Sequence, residues 1–380
     1  MSAAWPIVPL GEVVDYRKEF ITIDDLQTYR RPRIQLHAQG IILRDEIPGA
    51  MIKTKKQQIV KAEDFLVAEI DAKVGGFGIV PDNLEGAIVS SHYFLFRHRP
   101  ARLDNRFLGW FIKTPSFRQQ VEAQGSTNYA AIRPADVLSY EIPLPPLDEQ
   151  HRIVARIEEF ASKISEAKGL RAAGSQQAHA MIVSTHAALS RTEPEPLSSY
   201  LELHEDSVPI ELGKPYPQVG VRGFGGGLFR KQAVIGGETT YRAFNRLYEG
   251  AIVLSQVKGW EGAVAVTPDE LTGYFVSPEY RTFKCKDDRC LSDYLAAIVS
   301  TEFFWGRLNE ATRGVGARRE RTRPEQFLQL KFAMPSIADQ RKAIEIFSRI
   351  RDVRSLQSET TTKLDAMIPS ILDKAFRGGL

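Results

Sequence analysis

Residues 75–90 read Gly75-Gly-Phe-Gly-Ile-Val-Pro-Asp-Asn-Leu-Glu-Gly-Ala-Ile-Val-Ser90, and residues 262–277 read Gly262-Ala-Val-Ala-Val-Thr-Pro-Asp-Glu-Leu-Thr-Gly-Tyr-Phe-Val-Ser277. Set side by side at a shift of 187 residues, the two stretches share the leading glycine, Pro81-Asp82 with Pro268-Asp269, Leu84 with Leu271, Gly86 with Gly273, and Val89-Ser90 with Val276-Ser277. The echo extends outward on both sides. Pro9-Leu10 and Tyr29 meet Pro196-Leu197 and Tyr216, while Tyr93, Phe96, Thr114 and Phe117 meet Tyr280, Phe283, Thr301 and Phe304. From Arg133-Pro134, which meets Arg323-Pro324, the shift is 190, pairing Leu138 with Leu328, Pro145 with Pro335, Leu147 with Ile337 and Gln150 with Gln340. Solenoid units run about 20 to 50 residues, so a repeat of nearly half the chain is a duplicated domain with its connector.

Within each copy, short apolar runs bounded by Gly, Pro or Asn predict strands at 64–70, 77–80 and 87–90, and again at 251–255, 263–266 and 275–277. Residues 107–113 and 291–300 predict helices, followed by polar loops at 124–128 and 312–321. Pro-Asp-x-Leu-x-Gly stands in both copies, so Asp269 with Glu279 reads as part of a turn between strands rather than as a nuclease carboxylate pair.

The connectors are different in kind. After the extended Ile142-Pro-Leu-Pro-Pro146, Asp148 opens a helix on which Ile153, Ile157, Phe160 and Ile164 recur on one face. The second copy repeats the stripe with Ile337, Ile344, Phe347 or Ile350, Val353, Leu356, Leu364, Met367 and Ile371. On the first connector, Asp148, Glu149, Glu158, Glu159 and Glu166 alternate with Arg152, Arg156, Lys163, Lys168 and Arg171, the pattern of an exposed helix with one apolar seam. Neither helix can hide its stripe alone. The economical solution is that the two pair, antiparallel because a domain separates them; the alternative is that each packs on its own domain. Gly169 and Gly174 predict a bend in the first helix, and Pro369 a kink or restart in the second. The expected fold class is therefore α+β: two similar mixed α/β domains, 1–146 and 191–335, joined by two long helices, 147–190 and 336–380, packed as an antiparallel coiled coil with pseudo-twofold duplication.

The 380 residues, 43% hydrophobic, can bury a sizeable core. No stretch approaches the roughly 20 apolar residues of a membrane span, and the N-terminus lacks the order of a secretory signal, so a cytoplasmic location is expected. Cys285 and Cys290 read as two free thiols, since two cysteines without a second pair make neither a zinc site nor a secreted scaffold. The net charge of +3 argues little for a polyanion partner; the clustering argues more. Arg30, Arg31 and Arg33 form one cluster, Lys53, Lys55, Lys56 and Lys61 another, and Arg313, Arg318, Arg319, Arg321 and Arg323 surround Glu320. Such clusters neutralise phosphates, although any one alone is more often a solvated face.

Pro143-Leu-Pro-Pro-Leu-Asp-Glu-Gln-His-Arg-Ile-Val154 and Pro369-Ser-Ile-Leu-Asp-Lys-Ala-Phe-Arg-Gly-Gly379 resemble the connector signatures of type I restriction-modification DNA specificity subunits. The resemblance spans the chain in the order reading domain, helix, reading domain, helix, and includes the strand-turn segments Gly75 to Pro81 and Gly259 to Pro268. The second connector departs from it, opening as Met334-Pro-Ser-Ile-Ala-Asp-Gln340 without the double proline. The resemblance implies a non-catalytic protein whose two target-recognition domains each read half of a split site on double-stranded DNA. It also implies that two methyltransferase subunits dock on the spacer and that motor-endonuclease subunits join for cleavage. S-adenosylmethionine, and the ATP and Mg used for cleavage, would then be bound by those partners, with no cofactor and no metal in this chain. Roughly 22 to 25 paired helical residues would hold the readers near the 34 Å of one DNA turn. The chain shows no Asn-Pro-Pro-Tyr-type methylase motif and no Walker phosphate loop, and Gly223-Phe-Gly-Gly-Gly227 reads as a flexible turn rather than a cofactor loop.

Reading DNA takes donors and acceptors on base edges plus cations on phosphates. The candidates in the first domain are Arg30, Arg31, Arg33, Lys53, Lys55, Lys73, Ser91, His92, Asn128 and Tyr129; those in the second are Arg222, Arg230, Lys231, Lys258, Trp260, Arg313, Arg318, Arg319 and Arg321. His92 is the weakest of them, since a lone histidine beside Tyr93 is more often packed or solvated than functional. Rival readings are a specificity module of a fused type II methylase-nuclease or of a phage-exclusion methylation system, and a coiled-coil adaptor that binds only proteins.

Overall fold

The computed structural model describes residues 5–123, 131–312 and 321–380. The chain divides into two compact units, Met1–Lys168 with Thr360–Leu380, and Gly169–Glu359.

In the first unit, the antiparallel four-stranded sheet runs in the order Val14–Arg17, Tyr93–His98, Phe65–Ala68, Phe77–Ile79. The run Phe65–Ala68 is apolar throughout because both its faces are covered. Phe65 and Val67 point into one core with Phe77, Phe96 and the helix residues Phe107, Phe111 and Phe117. Leu66, one step along the strand, points the other way into a core with Val60, Val80, Leu84 and Leu95. Beyond this second core lie a three-stranded sheet, Phe20–Thr22, Lys56–Ile59 and Ile88–Val89, and a hairpin, Thr28–Gln35 with Gly40–Pro48. A clasp of Ile7–Pro9 with Glu141–Pro143 closes the domain.

The second unit repeats this plan. Its four-stranded sheet runs Leu201–Leu203, Tyr280–Cys285, Ile252–Ser255, Val264–Val266, and its clasp is Glu195–Pro196 with Lys331–Phe332. Equivalence reaches single hydrogen bonds: the Asp24 N–H donates to Tyr29 Oη at 2.9 Å, and the Glu211 N–H to Tyr216 Oη at 2.9 Å. A Cβ at Gly49 would stand 1.9 Å from Asp24 O, and one at Gly236 1.8 Å from Glu211 O, so both copies need glycine there. One difference is topological. In the second unit the hairpin Pro215–Val221 with Leu228–Ile235 joins Asp206–Pro209, Ala243–Arg246 and Phe275–Val276 in one five-stranded sheet, through a parallel bridge between Gln218 and Phe275. The first unit has no such bridge among its described residues.

The long helices are Leu147–Leu189 and Ile337–Phe376. In the first unit, Arg152 donates to Leu380 O at 2.6 Å and Lys168 pairs with Asp365 at 2.6 Å, so the numbers rise along one helix as they fall along the other. In the second unit, Gly174 lies against Gln357, while Ile182 shares a core with Ala343 and Phe347. The helices are thus paired antiparallel in each unit, and they also pack on the domains: Phe376 meets Phe107 at 5.0 Å and Phe111 at 5.2 Å between ring centroids. Neither the glycines nor Pro369 interrupts a helix, which corrects the expected restart. The physical reason is that Leu372 and Ala375, beyond the proline, are pinned in the first domain's core, and that burial outweighs the carbonyl left without its N–H partner.

The missing double proline costs the second helix nothing at its start. Ser336 takes over, its carbonyl accepting the Gln340 N–H at 2.8 Å and its Oγ the Asp339 N–H at 3.2 Å, where the first copy uses Pro146 O for Glu149 and Gln150. Cys285 and Cys290 are free, buried thiols with Sγ atoms 3.3 Å apart. Among the described residues no helix is long and apolar enough to cross a membrane.

Candidate nucleic-acid interface

In each domain one strand of the four-stranded sheet ends at a polar residue where three segments meet. Glu69 donates its N–H to His92 O at 2.9 Å and accepts at its carbonyl from the Ile132 N–H at 3.1 Å. Gln256 repeats this with Glu279 O at 2.9 Å and the Thr322 N–H at 2.8 Å. The segments joined are the strand end, the turn before the next strand, and the stretch returning from residues 124–130 or 313–320. A tight turn follows, closed by Gly75 (φ 79) and Gly262 (φ 70) in the left-handed region that favours glycine. The hairpin tip docks on that turn: the His37 N–H donates to Val74 O at 2.8 Å, and the Phe224 N–H to Glu261 O at 2.6 Å.

This edge gathers seven of the fourteen expected site residues that lie among the described ones. In the first domain Lys73 lies on the turn, and Ser91 and His92 are exposed on the neighbouring turn, with His92 Nδ1 2.6 Å from Glu69 Oε2. In the second, Lys258 stands 3.7 Å from Glu261, Trp260 is 37% exposed, and Arg321 pairs with Glu279 at 2.9 Å. Arg222 sits at the docked hairpin tip with its guanidinium 4.8 Å from the Phe229 ring centroid. Asn128, Tyr129, Arg313, Arg318 and Arg319 lie outside the described residues.

Other candidates sit elsewhere or are engaged. Arg30 clamps the Pro-Asp turn through Asn83 O at 2.6 Å and Glu85 O. Arg31 makes a bidentate pair with Asp45, both contacts 2.7 Å, and its hydrogen bonds hold the Asp45 carboxyl below its ordinary range. Arg230 lies 5.5 Å from the Tyr274 ring centroid. Arg33, Lys53 and Lys231 are exposed, and their side chains make no ion pair or hydrogen bond among the described residues. Lys55 pairs with Asp25 and donates to Gly49 O at 2.9 Å, at the hairpin's base, on the order of 25 Å along the strands from the tip.

Residue-type reasoning passed over several groups. Gln256, Arg281 and Gln326 line a polar groove of about 570 Å³ together with Arg321 and with Arg323, which the sequence placed in the arginine cluster but not among the site residues, and Arg281 is bound to Glu205 at 2.6 Å. Glu69 and Gln256 carried a usable signal, as polar residues just past equivalent apolar strands.

Both domains grip the start of a long helix in the same way. Gln150 accepts the Asp104 N–H at 2.8 Å and donates to Arg102 O at 2.9 Å and Pro145 O at 2.8 Å. Gln340 accepts the Leu291 N–H at 2.8 Å and donates to Arg289 O at 3.0 Å and Pro335 O at 2.8 Å. Both side chains are fully buried. Leaving a buried backbone group unpaired costs about 1–3 kcal/mol, so Gln150→Ala and Gln340→Ala are each expected to destabilise by that amount or somewhat more. Hydrogen exchange should speed up at Asp104 and Leu291 respectively; unchanged protection of those amides would deny the grip.

No curated protein matches the chain. Residues 3–172 match the family model described as the type I restriction modification DNA specificity domain. Among solved structures, the HsdS subunit from Thermoanaerobacter tengcongensis is 19% identical with a TM-score of 0.55, over 100% of this chain and 98% of that one. A chain from a study of complex assembly and conformational transition of the type I R-M system is 19% identical with a TM-score of 0.68, over 100% and 99%. The type I restriction-modification S subunit from M. genitalium is 13% identical with a TM-score of 0.52, over 98% and 96%. Identities of this size speak to fold, and it is the expected one: two sheet-rich domains with two long helices. Residues 3–172 are therefore similar to the type I restriction modification DNA specificity domain, and the second unit repeats the plan of the first.

Proposed function

We propose that this chain is the DNA-reading specificity subunit of a type I restriction-modification complex. Each domain reads one half of a bipartite, asymmetric double-stranded site with the edge formed by the Gly-rich turn, the hairpin tip and the adjoining polar loop. The helix pair sets the separation of the half-sites and docks two methyltransferase subunits, to which motor-endonuclease subunits add for cleavage. Chemistry belongs to those partners, which bind S-adenosylmethionine, and ATP with Mg; this chain, working in the cytoplasm, contributes recognition. The observation that carries the reading is the duplicated edge: two copies, matched to single backbone hydrogen bonds, present different side chains at the same places. His92 with Glu69 in one copy is answered by Glu279 with Gln256 and Arg321 in the other. A shared scaffold with divergent polar tips suits two readers of different sequences.

Single-molecule sequencing of host DNA with and without the gene tests the reading: a methylated split motif should vanish with the gene. Exchanging residues 1–146 for those of a relative should then alter one half of that motif and leave the other intact. Alteration of both halves would refute the modular reading. Co-purification with two methyltransferase copies and a motor subunit separates a type I complex from a fused type II or phage-exclusion machine.

Loop cations predict a salt signature. Changing Arg318 and Arg319 together to Ala should weaken binding to all duplexes and lower the slope of log K against log [salt] by about 1.8, from the ~0.9 released per phosphate contact. Equal affinities and equal slopes would remove that loop from the footprint.

A further inference from the structure

The absent bridge in the first domain leaves a gap. In the second domain Gln218 and Phe275 zip the hairpin to the neighbouring strands, and Phe244 packs against Tyr216 at 5.4 Å between ring centroids. At the equivalent places the first domain has Arg31, Ile88 and Gln57. Pro32, following Arg31, has no N–H to offer a bridge, and the ladder slips by one residue at Arg31/Pro32, so that Arg44 is left without a pairing partner. The open seam is a pocket of about 240 Å³, smaller than the roughly 300–1,000 Å³ that drug-sized ligands fill, and so sized for one ring, with the remainder of any larger ligand left at the mouth.

The lining is chemically ordered. Ile52, Ile88 and Val89, each at least 94% buried, supply an apolar wall. Gln57 is 7% exposed; its amide donates to Thr54 O at 2.6 Å, while its carbonyl oxygen accepts from no described residue. Ser90 and Tyr93 add hydroxyls. At the rim stand two guanidiniums, Arg31 and Arg44, against one carboxylate, Asp45, which pairs with both. An apolar slot with an unmatched amide acceptor inside and a net cation at its mouth suits a flat heteroaromatic ring carrying an anionic group.

We infer that the seam between Arg31-Pro32 and residues 88–90 is a nucleotide-binding pocket specific to the first domain, taking the base against Ile52, Ile88 and Gln57 and the phosphate at Arg31 and Arg44. Two sources supply that chemistry, a nucleotide swung out of bound DNA or a free nucleoside monophosphate. The first rests on the DNA-reading function; the second does not.

The test uses the full chain. Calorimetric titration with the four deoxynucleoside 5′-monophosphates and their ribonucleoside counterparts, and separately with inorganic phosphate, should show saturable binding of at least one nucleotide and at least tenfold weaker binding of phosphate. Gln57→Phe fills the slot as the second domain does, and Arg44→Ala removes an exposed cation without touching the core; each should weaken binding at least tenfold. In parallel, 2-aminopurine is placed at successive positions of the methylated motif. A fluorescence rise at one position on binding, lost in Gln57→Phe, assigns the source to DNA, whether or not free nucleotides bind. Nucleotide binding without such a rise assigns a free ligand. No saturable binding and no rise, or binding indifferent to both variants, overturns the pocket while the methylated motif still reports on the DNA-reading function. Should Gln57→Phe lose its melting transition, Arg44→Ala decides both arms.

Discussion

Replacing Asp64 with alanine is expected to destabilise the first domain by about 3–5 kcal/mol, the usual cost of leaving buried charge without its partner. Asp64 has no exposed surface. One carboxylate oxygen accepts from Arg17 and from the Lys61 N–H at 2.9 Å; the other stands 2.9 Å from Arg97 Nη2, an ion pair without the alignment of a hydrogen bond. The Arg17 side chain is 15% exposed and would keep only the half-exposed Glu19 as an ion-pair partner, at 2.7 Å, so water and that pair would compensate little of what the alanine removes. Arg17 also donates to Ile59 O at 2.7 Å, and Arg97 to Ala62 O at 2.9 Å, which ties this triad to the segment between the two sheets. The second domain does without it, placing His204, Ala251 and Lys284 at the equivalent positions. Hence removing all three charges together, with Arg17→Met and Arg97→Met added to Asp64→Ala, should cost less than the single change. Chemical denaturation of the three proteins checks both statements; a single variant within about 0.5 kcal/mol of the parent would show that the triad is solvated in solution.

The second large effect is one of pH. His186 lies in the last turn of the first long helix, 3% exposed, stacked on Phe332 at 4.7 Å between centroids, with Nδ1 2.6 Å from Tyr294 Oη and 3.0 Å from Ser190 Oγ. Burial first, and the nearby Arg307 second, push its pKa down to about 4 from the ordinary 6.5. A cation at a helix C-terminus gains about 0.3–1 kcal/mol from the helix dipole, too little to offset a shift of this size. Because the folded value is the lower one, the unfolded chain takes up a proton first as the pH drops. The stabilisation is therefore complete above about pH 6.5 and is lost as the pH falls towards 4, by up to about 3 kcal/mol for the single group. Carboxylates titrate in the same window, so the comparison is with His186→Gln, which keeps a hydrogen-bonding group but does not ionise. The stability difference between the two proteins should shrink by up to that amount between pH 7 and pH 4; parallel curves would mean that the ring is already solvated.

What could be read from residues alone was whatever is local or repeated. The duplication, the strand runs at 64–70 and 251–255, the Pro-Asp turns and the apolar stripes of the connectors follow from spacing and turn chemistry, which act within a few residues. The stripes also required a partner for each long helix, and that partner proved to be the other helix. Choosing site residues by charge was less discriminating: Arg30 and Arg31 look like Arg33 in sequence, yet one clamps a turn, one is matched by Asp45, and the third is exposed.

Tertiary structure decided the remainder. Whether a hairpin joins a sheet came down to one bridge, Gln218 to Phe275, that the described residues of the first domain lack, and register between strands is set by packing across the whole domain. Asp64 became a buried ion because Arg17 and Arg97, distant in sequence from each other, converge on it; Gln150 and Gln340 became grips because chain folded far from them offers unpaired backbone groups. Patterns of polarity predict which side chains face inward, while the partner each one finds there is fixed by contacts that no neighbouring residue encodes.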